Sequence, residues 1–234
     1  MSELKKPETL GEALALASSQ HGDLNERLAT YSQHSKRLRP EFTAVYEGLI
    51  EHLAALDEGK IGPAVGEQMP DFLLPNQDGH LISLHGLLAS GPVVLSMNRG
   101  HWCPYCKLDL RAMVQIAPEV RRMGAQIVSI MPETTHYTKK AIVENDSPFP
   151  ILTDVDLSYA LSLGMIYWVG AEVTKLYQEL GILLERFQGN RGYFLPIAAK
   201  FVVGRNGAVA AREVNIDFRQ RMEPKDILAA LSRL

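Results

Sequence analysis

Cysteine is scarce in this sequence. The 234-residue chain holds two, Cys103 and Cys106, and they stand three positions apart. A secreted scaffold stapled by disulfides would carry more, spread along its length, so that class is excluded. Charge of one sign is also lacking: 24 Lys and Arg face 27 Asp and Glu, for a net charge of −3. The clustered basic excess of a nucleic-acid binder is absent, and no like-charge run is long enough to form a tail. No apolar stretch approaches the roughly 20 residues of a membrane span. The segment Met1 to Pro7 lacks the apolar region of a secretory signal. The expectation is a cytoplasmic chain that engages neither membrane nor nucleic acid.

What is present is ordinary for a soluble globular protein, 46% hydrophobic and 22% charged. At this length a sizeable core needs no metal or disulfide to hold it. Residues 1–58 read as a helical N-terminal extension. Thr9 and Glu12 form a capping box before Ala13, Leu14, Leu16 and Ala17. Asp23 and Glu26 are spaced to cap a second helix bearing Leu24 and Leu28. Pro40 suits the first turn of a third, which carries Phe42, Val45, Tyr46, Leu49, Leu53 and Leu56 at helical spacing until Gly59 stops it. Such stripes must be buried somewhere, against the rest of the chain or in a homodimer contact.

From residue 59 to 234 strands and helices alternate, after a Gly- and Pro-rich linker over 59–66. Phe72–Leu74 and Leu81–Leu84 flank a turn-rich connection. Val93–Met97 and Gln126–Met131 are buried-type strands. Cys103–Arg122, Thr135–Asn145, 156–163 and 171–185 read as helices, and Ile151 lies in a short strand. Phe201–Val203 and Ala208–Val214 flank Arg205-Asn206-Gly207, which carries the Asn-Gly hairpin signal. Pro224 opens a last helix through Leu231. The alternation predicts an α/β fold with a mixed central sheet flanked by helices. It resembles the thioredoxin-like arrangement, with an active loop between a buried strand and the next helix.

Cys103 falls where that helix begins. Thiol exchange needs a thiolate, yet at an ordinary pKa near 8.5 only about 3% is ionised at pH 7. Unpaired N–H groups and the helix dipole stabilise an anion at a helix N-terminus. Pro104 fits the first turn, Arg99 is close in sequence, and His101 adds a second group able to carry positive charge. Cys106 shares the helix face at i+3, at a Cα separation of about 5–6 Å that a disulfide spans. Cys103 can therefore attack and Cys106 resolve, with Trp102 and Tyr105 walling the site. Zinc would want four ligands at suitable spacing, and the histidines form no such pattern. Two inert packing cysteines are the remaining alternative to redox chemistry.

The stretch Arg99-Gly100-His101-Trp102-Cys103-Pro104-Tyr105-Cys106 resembles the peroxiredoxin-like branch of the alkyl hydroperoxide reductase/thiol-specific antioxidant family. Gly66–Leu74 is similar to that family's opening strand, Gly91–Leu95 to the strand before its active loop. Leu195–Ala199 and Arg221–Pro224 are similar to its late strand and the start of its final helix. The resemblance implies a thioredoxin-like, peroxiredoxin-type fold and reduction of peroxides by thiols, with a peroxide or disulfide as substrate. Thioredoxin or a similar dithiol would be the reductant. No cofactor or metal is implied. Peroxiredoxins place Pro and Thr seven and three residues before the attacking cysteine, where this chain has Ser96 and Gly100. They also set a later arginine beside the thiolate, and here that region holds Ala198, with Arg191 upstream. Thioredoxin relatives write cis-Pro-Ala-Thr before the late strand. Here Ala198 and Lys200 take those places, so a trans bond is expected before Ala198. Three readings follow: a thiol peroxidase, a dithiol–disulfide oxidoreductase, and a non-catalytic redox sensor.

Overall fold

Buried-type strands interleaved with helices give a central sheet covered on both faces. The computed structural model describes residues 6–56 and 61–234. The helices α1 (Leu10–Ser19), α2 (Leu24–Leu38) and α3 (Pro40–Leu56) come first. A hairpin of β1 (Leu73–Pro75) and β2 (Leu81–Ser83) leads through α4 (Leu84–Leu88) to β3 (Val93–Met97). Then come α5 (Pro104–Arg122), β4 (Gln126–Met131), α6 (Thr135–Asn145), β5 (Ile151–Thr153) and α7 (Ser158–Ser162). The chain continues through β6 (Ile166–Trp168), α8 (Gly170–Glu179), α9 (Leu184–Gln188), β7 (Phe194–Pro196), β8 (Ala199–Val203), β9 (Val209–Val214) and α10 (Pro224–Leu231).

The main sheet runs in the order β5-β4-β3-β8-β9. β3, β4 and β5 are parallel, while β8 and β9 are antiparallel additions. Every residue of β3 is buried, and its side chains divide by the period of two. Val93, Leu95 and Met97 enter one core cluster with Ile130 and Phe201. Val94 enters the other, with Met113 of α5 and Ile227 of α10. The strands of the main sheet and the 205–207 hairpin turn agree with the sequence pattern, β6 is not among the expected strands, and Gly207 takes the positive φ of 83° that the turn requires.

Several expectations are corrected. Residues 66–72 make no strand of their own beyond a single bridge from Gln68 to Ala208. Leu195–Ala199 is divided: β7 pairs with β6, and only Ala199 joins β8. The helix expected over 171–185 breaks at Gly181, whose φ of 72° ends α8. Thr9 does cap α1, accepting from Glu12 N at 3.1 Å, but Glu12 reaches back to Glu8 N, not Thr9 N. Asp23 occupies the N-cap of α2 without capping it. Instead Glu223, from just before α10, accepts from Leu24 N and Asn25 N at 2.8 Å each. The stop at Gly59 lies outside the described residues. Val45, Tyr46, Leu49 and Leu53 of α3 pack against the main core, so that stripe is used within the chain.

Candidate active site

The loop between β3 and α5 is held by side chains before it reaches the cysteines. Asn98, fully buried, donates to Ser96 Oγ at 2.9 Å and Ser129 Oγ at 3.1 Å. Ser96 thus serves as a partner for the loop. Gly100 adopts φ 142°, and a Cβ there would lie 2.5 Å from Trp102 Nε1 and 2.9 Å from Glu133 Oε1. No threonine fits at this position. Glu133 occupies the space, accepting from His101 N and contacting His101 Nδ1, both at 2.8 Å. The partner that the structure gives the His101 ring is Glu133, and His101 is not among the groups that chiefly act on the Cys103 thiol. The His101 ring is also stacked on Tyr137, 5.1 Å away.

Cys103 is the N-cap of α5 and Pro104 opens the first turn. Both cysteines are free thiols, each 1% exposed, and they lie 3.4 Å apart. Arg99, also buried, donates from Nη1 to Cys103 Sγ at 3.7 Å and from Nη2 to the Tyr177 hydroxyl. Its guanidinium carbon stands 3.8 Å from the Phe218 ring centroid and 5.4 Å from that of Trp102. Burial alone would raise the Cys103 thiol. The Cys106 thiol donating to it, with the charges of Arg99 and Arg221, reverses this and brings Cys103 down to about 6. Cys106 moves the other way: burial, then the bond to Cys103 and that thiolate's charge, push it well above the ordinary range. Arg221 Nη2 lies 3.9 Å from Cys106 Sγ.

A cavity of about 290 Å³ opens on Cys103. Arg99, Trp102 and Tyr105 line it, as the sequence pointed to, and the N-terminal helices supply much of the rest through Leu14, Tyr31, Phe42 and Tyr46. Burial raises the hydroxyls of Tyr31 and Tyr46 above their ordinary value, so both stay protonated. Behind Cys106 the surroundings are ionic. Asp109, at i+3 from Cys106 on α5, pairs with Lys200 of β8, and both are about 1% exposed. Arg191 is exposed; the arginine that reaches the thiolate is Arg99. The bond before Ala198 is trans, as are all peptide bonds among the described residues. Sequence reasoning did not assign Tyr177, Phe218, Arg221 or Glu133 to this site. Arg221 begins the Arg221–Pro224 stretch noted in the sequence, but nothing local ties it or the other three to the cysteines, and each arrives through the fold.

This is a thioredoxin-like fold with a dithiol centre at the start of the helix that follows a central strand. Residues 65–212 match the AhpC/TSA family, and the chain belongs to it. Among solved structures, peroxidoxin BcpB from Mycobacterium tuberculosis is similar with a TM-score of 0.56 at 22% identity, over 73% of this chain and 97% of that one. A cysteine mutant of peroxiredoxin 6 of Arenicola marina gives a TM-score of 0.57 at 17% identity, over 73% of each chain. A 1-Cys peroxiredoxin of Onchocerca volvulus is 24% identical over 117 residues, which cover 43% of this chain and 50% of that protein. The thiol-disulfide oxidoreductase ResA of Bacillus cereus is 28% identical over 91 residues, 38% of this chain and 51% of ResA. The chain thus spans about half the length of these curated relatives.

Proposed function

We propose that the protein is a thiol peroxidase that reduces hydrogen peroxide or organic hydroperoxides through Cys103 and resolves through Cys106. One observation carries the reading: a thiolate brought to about 6 stands beside Arg99 at the wall of a small cavity. The Cys103 thiolate attacks the near peroxide oxygen, the O–O bond breaks, and the departing oxygen leaves as an alcohol or water after taking a proton. Cys103 becomes a sulfenic acid. Cys106 then attacks that sulfur, an S–S bond forms, and water leaves. An external dithiol such as thioredoxin restores both thiols and is itself oxidised to a disulfide.

Arg99 offers the peroxide a charge, and its Nε has no partner among the described residues. Tyr31 and Tyr46 offer protonated hydroxyls in place of the missing threonine. Trp102 and Tyr105 wall the substrate space. In this reading residues 1–58 are an extension of the domain at 59–234, and residues of the stretch α1–α3 roof the site. That roof favours a small peroxide over a protein disulfide. The dithiol–disulfide oxidoreductase reading is the alternative, favoured by the two thiols at 3.4 Å.

Rapid mixing of the reduced protein with hydrogen peroxide and an organic hydroperoxide tests the proposal. Cys103→Ser is expected to abolish consumption, and Cys106→Ser to stop after one turnover with a sulfenic acid trapped on Cys103. Equal reactivity of the two variants would overturn the assignment. Insulin reduction without any peroxide turnover would establish the alternative.

A further inference from the structure

Arg221 is a buried cation whose charge adds only the last of the influences that lower Cys103 and whose guanidinium contacts the other sulfur. It is 3% exposed and lies between β9 and α10, beyond the residues that match the family. Its Nη2 donates to Cys106 Sγ at 3.9 Å, its Nη1 to Gln220 O at 2.7 Å, and its Nε has no partner among the described residues. The main chain around it is clamped. Arg221 N donates to Asn25 Oδ1 at 3.0 Å, and Asn25 Nδ2 donates back to Arg221 O at 2.7 Å. Two residues on, Glu223 caps α2. The main chain that carries the guanidinium to Cys106 is thus fixed by contacts to the start of α2.

An isolated charge in a protein interior carries a large desolvation cost, and a partner of opposite charge offsets it. Glu213 and the Lys200–Asp109 pair also sense this charge, and the side chain to which the guanidinium donates is the Cys106 thiol. We propose that Arg221 is a catalytic residue of the second half of the cycle, holding negative charge on Cys106 Sγ when that sulfur attacks and when it leaves. This rests on the reading of Cys106 as the resolving thiol.

The charges make the order of events intelligible. In the reduced protein, burial and the Cys103 thiolate keep Cys106 protonated. Once Cys103 is a neutral sulfenic acid, the opposing charge is gone while Arg221 stays. Cys106 can then release its proton and attack Cys103 Sγ, so that hydroxide leaves and combines with that proton as water. In recovery, a dithiol's thiolate attacks Cys103 Sγ, the sulfur that borders the cavity. The S–S bond breaks, and its electron pair goes to Cys106 Sγ, which leaves as a thiolate facing Arg221. The second thiol of the reductant then displaces Cys103, releasing a cyclic disulfide.

The test uses the full chain in its wild-type, Arg221→Gln and Arg221→Lys forms. The Cys103–Cys106 disulfide is made with diamide and reduced by dithiothreitol, so this arm needs no peroxide. The Gln variant is expected to be reduced at least fivefold more slowly, and the Lys variant to recover most of the rate. In a second arm, the sulfenic acid formed by peroxide should persist at least fivefold longer in the Gln variant, while its formation slows less than its decay. Reduction of the Gln variant within twofold of wild type, or a Lys variant as slow as Gln, would overturn the proposal. Peroxide failing to oxidise Cys103 while the dithiothreitol arm behaves as expected would remove the peroxidase reading and leave this one standing.

Discussion

The two cysteines sit one turn apart on the same helix, both almost wholly buried, yet their surroundings drive them in opposite directions. In front, Cys103 faces a cavity with Arg99 at hand and aromatic rings around it. Behind, Cys106 faces Arg221, on a helix whose next turn carries Asp109, paired with the buried Lys200 of β8. Burial is common to both, so it cannot be what distinguishes them. What distinguishes them first is the hydrogen bond between them, in which Cys106 donates to Cys103, and then the charges at hand, Arg99 in contact with Cys103 and Arg221, from far along the chain, in contact with Cys106. The lesson is that the spacing of the motif brings one thiol to donate to the other and makes a disulfide feasible, while Arg99 and Arg221, from outside the CxxC, add charge to that difference.

The largest expected effect lies behind Cys106. Burial lowers the Lys200 ammonium pKa, and Asp109 opposes that fall. Asp109→Leu leaves Lys200 buried without its partner, which should cost about 3–5 kcal/mol. Replacing both, with Asp109→Leu and Lys200→Met, should recover most of that loss. Urea unfolding measures it, and pH-dependent alkylation of Cys103 should stay within half a unit of wild type. If the single variant unfolds like the wild type, or if Cys103 shifts as far as it does on loss of Arg99, the division into a reactive front and a structural back fails.

Next comes the front. With a value of about 6, Cys103 is roughly nine-tenths ionised at pH 7. Arg99→Met removes the leading charge that opposes burial, so the inflection of alkylation should rise to the ordinary cysteine range, about 8–8.5. Reactivity at pH 7 should fall by about 10- to 30-fold, the ratio of thiolate fractions, and the gap should close toward pH 9. Stability follows the same sign. A thiol whose folded pKa lies below its unfolded one adds stability at high pH that is lost as pH falls through about 6. The reduced wild type should therefore gain stability between pH 6 and 9, and Arg99→Met should flatten that gain. An inflection unmoved by the substitution would show that the Cys106 hydrogen bond alone holds the thiolate.

The sheet and the reactive loop were legible in sequence because their signals are local. Runs such as Val93–Met97 and Gln126–Met131 match their strands residue for residue, and Pro104 announces the helix start beneath Cys103. Arg99, Trp102 and Tyr105 were found because they adjoin the motif. Arg221, Phe218 and Tyr177 were not, since only tertiary packing brings them to the sulfurs. Gly100 shows the converse. In sequence it is a missing threonine. In the structure its left-handed backbone and the nearness of Trp102 and Glu133 make glycine a requirement. Adjacency in sequence did not tell which partner the His101 ring would take, and the fold supplies Glu133.

The smallest effect concerns the latch between front and back. The helices that roof Cys103 are tied down from the Cys106 side, where Glu223 takes the capping role that Asp23 leaves unfilled. Asp23 is instead paired with Lys225. Glu223→Ala strips the first-turn N–H groups of Leu24 and Asn25 of their acceptor, and loss of a cap costs about 1 kcal/mol. That cost should fall on the roof and spare the sheet. Hydrogen exchange should quicken in α1 and α2 and stay unchanged in β3 and β4, and Cys103 should alkylate faster at pH 8 as the cavity opens more often. Uniform quickening through the sheet would mean that the helices and the sheet open as one unit. In that case the roof would be an inseparable part of the core, and the two sides of the motif would share one stability.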